Sequence, residues 1–309
     1  MIDNSYKVIR PPYLRAGDRV GVLALASQVS YDALFEGLRM LQEDWQLDVV
    51  EGTTLRTSYH QFAGTDDERR ADFQRMLDDP SIKAIFSARG GYGSSKLIDG
   101  LSFRKFKKHP KWIVGFSDIT ALHCHLHCLS FESLHATMPK LFGQEGASNA
   151  VETLRKALWG EPLQYEVVAH PFNRTGMATG QVVGGNLCLL AHLMGSSSEL
   201  DTRDKVLFIE DVEETYYNLD RMMVQLKRAR KLDQLAGLIV GQFTDMKDND
   251  TIKFGKNANE IIAEFVAEYD YPVCFDFPVG HVPDNRAMIV GREAQFLVTS
   301  ENMSLFFVN

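Results

Sequence analysis

Near the start of the chain, apolar residues first run unbroken and then recur at helical spacing. Val20 to Ala26 is continuously apolar and closes at Ser27, and after Ser30 the residues Leu34, Leu38, Leu41 and Trp45 return every three or four positions. This pattern predicts a buried strand followed by a helix with Ser30 as its N-cap. Leu47 to Val50 supplies a second strand, and Thr65-Asp66-Asp67-Glu68 is a capping box opening a helix that turns Phe73, Met76 and Leu77 inward. Ile82 to Ser87 gives a third strand, Trp112 to Gly115 a fourth, and Asp118 to Cys128 the helix behind it. Strand and helix alternate as they do in a parallel sheet covered on both faces, with right-handed crossovers.

After a helix over Asn149 to Leu158 the pattern breaks at Trp159-Gly160-Glu161-Pro162, and the chain to Gly180 is largely polar, with Pro171, Asn173 and Gly176. A domain boundary is expected there: an N-terminal doubly wound α/β domain over 1–160, a linker over 161–180, and a C-terminal α/β domain rich in strands over 181–309. In the second half, strands are predicted at Lys205 to Ile209, Leu238 to Gly241 and Val273 to Phe275, with a closing hairpin from Glu293 to Val308. Helices fall near Leu187 to Met194, Tyr217 to Lys231 and Asn257 to Tyr269. The absence of any repeat or low-complexity segment excludes solenoid and fibrous architectures.

With 309 residues, 45% of them hydrophobic, the chain can build a sizeable core in about two domains. Its 33 Lys and Arg against 41 Asp and Glu leave a net charge of −8, which repels the backbone of nucleic acids and excludes a nucleic-acid binder. Four cysteines, at 124, 128, 188 and 274, are too few and too unevenly spaced for a disulfide framework, and a reducing cytoplasm suits them. No apolar run approaches the ~18 to 20 residues of a membrane span, so no membrane partner is expected. Arg19 followed by the apolar run to Ala26 imitates a signal peptide, but the run is minimal and reads better as a strand.

The sharpest chemical signal is Trp112-Ile113-Val114-Gly115-Phe116-Ser117-Asp118-Ile119, a strand that ends in Gly-x-Ser and runs straight into a helix. A serine on such a turn points its hydroxyl into the crevice at the strand's carboxyl end, where the Asp118 amide can face an oxyanion. A plain helix cap is the bland alternative for Ser117. A nucleophilic serine needs a base and a carboxylate to orient it. Glu210 follows the apolar Val206-Leu207-Phe208-Ile209, and His281 sits in a rigid loop between Gly280 and Pro283, which makes it the best-placed base. Surface-loop acidity is the alternative for Glu210, beside Glu213 and Glu214.

The loop Ser87-Ala88-Arg89-Gly90-Gly91-Tyr92-Gly93-Ser94 resembles a phosphate cradle but fails both the P-loop and the dinucleotide spacing. Its glycine amides can instead complete an oxyanion hole, with Arg89 offering a fork to a substrate carboxylate beside Gly90 and Tyr92. An ordinary loop salt bridge is the other role open to Arg89. His123-Cys124-His125-Leu126-His127-Cys128 invites a metal reading, yet the two pairs point in different directions around a helix, so no metal site is expected. Asp245, Asp248 and Asp250 lack the glycine and glutamate of a calcium loop.

Taken in order, Arg89-Gly90-Gly91-Tyr92-Gly93, Gly115-Phe116-Ser117-Asp118-Ile119, Gly184-Gly185-Asn186-Leu187, Glu210-Asp211 with Tyr216-Tyr217, and Gly280-His281 resemble the LD-carboxypeptidase family of serine peptidases over nearly the whole chain. The resemblance implies a Ser-Glu-His triad of Ser117, Glu210 and His281, an oxyanion hole from Gly91 and Asp118, no cofactor and a homodimer. It implies release of a terminal D-residue from a murein-derived peptide with a free carboxylate, as in peptidoglycan recycling. Two departures, Glu213 where the family has Gly and Asn218 where it has Arg, bear on substrate preference. A second activity in the family is hydrolysis of peptidyl-nucleotide antibiotics of the microcin C type, which needs an aromatic such as Tyr165 or Phe172 to stack the base. From another class, a non-catalytic two-lobed ligand-binding protein would have the same α/β halves.

Overall fold

A computed structural model describes residues 8–308, so the first seven residues of the expected N-terminal domain and Asn309 lie outside the described residues. The N-terminal half contributes β1 (Arg19–Leu23), α1 (Phe35–Arg39), β2 (Asp48–Glu51), α2 (Asp66–Asp78), β3 (Ile82–Ser87), β4 (Trp112–Gly115), α3 (Thr120–Cys128), β5 (Ser133–His135) and α4 (Ser148–Trp159). The chain continues with β6 (Gln164–Val168), β7 (Gly176–Asn186), α5 (Leu187–His192), β8 (Lys205–Val212), α6 (Tyr216–Arg228), β9 (Gly237–Thr244), α7 (Ala258–Val266) and β10 (Val273–Cys274). It closes with β11 (Met288–Val290), β12 (Glu293–Val298) and β13 (Asn302–Phe307).

Two sheets result. The first has six strands in the order β11-β5-β4-β3-β1-β2, parallel except for β11 against β5, and the second has seven in the order β10-β9-β8-β7-β12-β13-β6. In the second sheet β7 to β10 run parallel, and β12, β13 and β6 form an antiparallel flank. The parallel strands are apolar on both faces because helices cover them: β4 and the core of β8 are fully buried. The capping box of α2 forms as its sequence predicts, and Phe73, Met76 and Leu77 are buried.

Three expectations change. The stretch 161–180, read as a linker, carries β6 and the start of β7, both ordered in the second sheet. β11, from the C-terminal half, crosses over to edge the first sheet. Ser30 stands at an N-cap but its side chain makes no capping bond, since the chain enters α1 through a short 3-10 turn, Tyr31–Leu34.

The sheets share apolar core: Leu134 of β5 and Ala136 just after it pack in one cluster with Val182, Phe208 and Phe296. Across the same junction Arg292 donates to Glu132 at 2.6 Å, both side chains about 5% exposed or less. The carboxyl ends of β4 and β8 come together: Phe116, after β4, packs on His281, which bonds Glu210 of β8, so both halves of the chain bring residues there.

Candidate active site

Strand β4 delivers Ser117. Phe116 is extended, and Ser117 itself adopts φ +64°, a left-handed conformation that costs a non-glycine residue ~1 to 3 kcal/mol and persists only where its surroundings enforce it. A 3-10 turn, Ser117–Ile119, then leads into α3. The Ser117 hydroxyl caps nothing: α3 has Ile119 at its N-cap with no side-chain bond. The turn holds because Gly115 leaves room for Ile119, whose Cγ1 would lie 2.9 Å from a Cβ there.

Glu210 and His281 meet from the second sheet. Glu210 of β8 is fully buried, and its Oε2 accepts a hydrogen bond from His281 Nδ1 at 2.8 Å. Only glycine can precede that histidine: Gly280 has φ +126°, and a Cβ there would approach Glu210 Cβ to 2.9 Å. The Asn285 side chain accepts from the Gly280 amide at 2.9 Å and fixes the loop. The His281 ring packs edge-on to Phe116 with centroids 4.9 Å apart, against the residue that precedes Ser117. Burial opposes charge on His281, but the Glu210 hydrogen bond and the nearby charges of Glu210, Asp211 and Glu213 outweigh it, raising the imidazole above its ordinary 6.5.

Asp211 faces the other way. It accepts from Asn186 Nδ2 at 2.8 Å and from the Cys188 amide at 2.9 Å, and burial, then the neighbouring Glu210 charge, pushes it up to about 7. Asn186 in turn donates its amide to Thr120 Oγ1 at 3.0 Å, which pins the start of α3 onto β7. Thr120 escaped the sequence reading, because nothing local marks a threonine that bonds a residue 66 positions away.

The glycine-rich loop after β3 closes over this turn. A Cβ on Gly90 would come within 3.0 Å of Ser117 Cβ, and one on Gly91, at φ +119°, would strike Ser27 Oγ. The Asp118 carboxylate accepts from the Ser94 amide at 2.7 Å and the Gly93 amide at 3.3 Å, and burial raises its pKa. No hydrogen bond among the described residues uses the amide N–H of Gly91 or Asp118. Arg89 donates through Nη1 to the Gln28 carbonyl at 2.9 Å and forms no ion pair among the described residues. Lys140, on the 3-10 turn Pro139–Leu141, is a second cation here: burial, then the Arg89 charge, lowers its pKa. Tyr92 is half exposed, its ring 6.0 Å from that of Phe62.

Other candidates stay apart. Both ring nitrogens of His123 are engaged, by Ser133 Oγ at 2.9 Å and the Gly115 carbonyl at 2.8 Å, and among the described residues no three His, Cys, Asp or Glu side chains converge as metal ligands. Asp248 accepts from the Asn249 and Phe254 amides within its own loop. Tyr165 is buried and donates to the Ala287 carbonyl, so it cannot stack a ligand, whereas Phe172 is 41% exposed. Among the described residues the four cysteines are free, and no helix is long and apolar enough to cross a membrane.

Two α/β halves that bring a buried glutamate and its histidine against the turn bearing a strained serine have the outline of a serine hydrolase. Residues 20–136 match the LD-carboxypeptidase N-terminal domain and residues 179–296 the LD-carboxypeptidase C-terminal domain. A probable murein peptide carboxypeptidase of Bacillus subtilis is 35% identical over 295 residues, covering 92% of this chain and 90% of that one. Among solved structures, muramoyltetrapeptide carboxypeptidase from Oxalobacter formigenes superposes with a TM-score of 0.84 at 24% identity, over 94% of this chain and 99% of that one. MccF in complex with glutamyl sulfamoyl guanosine gives 0.85 at 21%, over 97% and 98%. The chain belongs to the LD-carboxypeptidase family.

Proposed function

We propose that the protein is a serine carboxypeptidase that cleaves the amide bond before a C-terminal D-residue of a murein-derived peptide. The observation that carries this reading is the 2.8 Å bond between His281 Nδ1 and the buried Glu210, with the imidazole packed against the turn that bears Ser117. Ser117 Oγ attacks the scissile carbonyl while His281 Nε2 takes its proton. Glu210 fixes the tautomer by accepting from Nδ1–H and stabilises the imidazolium that forms. The unengaged amides of Gly91 and Asp118 are suited to hold the carbonyl oxygen as it becomes negative. His281 then protonates the departing amine of the D-residue, and water activated by the same imidazole releases the acyl group from Ser117. Arg89, with Gly90 and Tyr92 beside it, receives the terminal carboxylate. The name of the Bacillus subtilis relative supports murein peptides as the substrate class. Free cysteines suit a reducing cytoplasm, and the resemblance to the family implies a homodimer.

A serine-directed phosphonate should label Ser117 far faster than free serine, with the adduct located by peptide mass spectrometry. Labelling no faster than free serine would instead fit a binding protein of the same fold. The rate should also depend on pH. His281 must be neutral to accept a proton, so kcat/KM rises with pH, and the raised imidazole places the midpoint above 6.5. Replacing Glu210 with Gln removes the raising influence, and the midpoint of the residual activity moves down. A flat profile with chemistry rate-limiting would contradict a histidine base.

A further inference from the structure

The glycine-rich loop from Ser87 to Ser94 is pinned at both ends and unbonded in the middle. At its start the Ser87 hydroxyl donates to the Arg89 carbonyl at 2.8 Å, and the Ala88 amide to the Leu23 carbonyl at 2.8 Å. At its end the Asp118 side chain takes hold: Oδ2 accepts from the Ser94 amide at 2.7 Å and Oδ1 from the Gly93 amide at 3.3 Å. The Asp118 carbonyl accepts a third bond, from Ser94 Oγ at 2.7 Å. Between these anchors the amides of Gly90, Gly91 and Tyr92 enter no hydrogen bond among the described residues.

A buried arginine backs the same end. Arg69 of α2 is fully buried, and its Nη1 donates to the Leu25 carbonyl at 2.5 Å and the Gly93 carbonyl at 3.1 Å, while its Nη2 pairs with Asp66. The peptide unit joining Gly93 to Ser94 is thus held on both sides, its carbonyl by Arg69 and its N–H by Asp118. Both Asp118 oxygens are engaged by the loop, and the residue is 1% exposed, so its carboxylate is not poised to take the Ser117 proton. Nor does it orient His281, which has Glu210. Its bonds act on backbone instead. Asp118 directly follows Ser117, whose φ of +64° persists only under outside constraint, and the three bonds tie that turn to the loop bearing Gly91.

We propose that Asp118, through its carboxylate, is a positioning residue for the oxyanion site: it locks the end of the glycine-rich loop to the nucleophile turn, so that the Gly91 amide and its own amide face one point. This role is separate from that of the Asp118 amide and rests on the serine-peptidase reading. Asparagine matches the carboxylate in size but turns an N–H2 toward one of the two loop amides, so one bond is lost and the loop end loosens.

The test compares Asp118→Asn with the unmodified enzyme on two ligands, a tetrapeptide and a peptide boronic acid in which boron replaces the scissile carbonyl carbon. Ser117 Oγ adds to boron, its proton passing to His281, and the tetrahedral adduct places a negatively charged oxygen where the oxyanion forms. Misplacing one oxyanion donor should lower kcat by about 10²-fold and weaken the boronic acid by a similar factor. Affinity for the tetrapeptide, measured by calorimetry in a Ser117→Ala background, should change by less than about twofold, because the ground state puts little charge in the site. A merely structural aspartate would weaken both ligands alike. Unchanged kcat and boronic-acid affinity in a folded Asp118→Asn protein, or equal losses on both ligands, overturns the proposal. Should that variant not fold, Ser94→Ala removes only the hydroxyl bond and is read in the same way, with a loss of about tenfold expected. Failure of the serine-peptidase reading shows elsewhere: the unmodified enzyme would then bind the boronic acid no more tightly than the Ser117→Ala protein does.

Discussion

Ser117→Ala, Glu210→Gln and His281→Ala should each lower kcat by about 10⁴- to 10⁶-fold while the protein stays folded. In the proposed triad the three act as a unit, so losing one disables the others: alanine at 117 would remove the attacking oxygen, and alanine at 281 would leave no acceptor for its proton. Glutamine at 210 keeps the volume of a fully buried side chain but no longer anchors the imidazole as a carboxylate does. Stability should change little. Ser117 is released from a left-handed conformation only in part, since alanine shares its cost, and Glu210 already has one buried oxygen, Oε1, without a partner. The check is turnover beside far-ultraviolet circular dichroism and the urea midpoint of each variant. Near-normal kcat in any one of them removes that residue from the triad.

Arg89→Lys should cost ~2 to 3 kcal/mol in kcat/KM for a peptide acid, the scale of a hydrogen bond to a charged group. A carboxypeptidase must distinguish a chain end from an interior bond, and a carboxylate entering a crevice needs a charged partner to offset its desolvation. Arg89 is placed for this: its loop packs on Ser117 through Gly90, and only Nη1 is engaged, by the Gln28 carbonyl. Lysine keeps the charge but loses the planar fork that holds both oxygens. The same variant should lose little against a C-terminally amidated peptide, which the unmodified enzyme already cleaves poorly. Steady-state kinetics on the acid and amide pair decide it, and equal losses on both would leave Arg89 a structural role alone.

What the sequence could reveal follows from what is local. The turn at Ser117 was legible because a fully apolar strand, a Gly-x-Ser and a helix start lie within a dozen consecutive residues. β1, β3, β4 and β8 were legible for the same reason, each being an apolar run bounded by turns. The first half of β7 was not. Its inward positions are small, the half-buried Ala178 and the buried Gly180, and its outward ones include Thr179 and Met177, so its alternation gives no contrast between faces. β11 is three residues long and is defined by pairing with β5, more than 150 positions earlier, a relation no local pattern contains. Lys140 came near Arg89 through tertiary packing alone, and Tyr165, an aromatic in a polar stretch, proved to be core because β6 turns it inward.

The most direct measurement is mass spectrometry of a murein tetrapeptide, ending in D-alanine, after incubation with the protein. The account predicts conversion to the tripeptide with release of one D-alanine and no internal cleavage, and no conversion by the Ser117→Ala protein. An intact tetrapeptide after prolonged incubation with folded enzyme, or tripeptide formed equally by the Ser117→Ala protein, would contradict it.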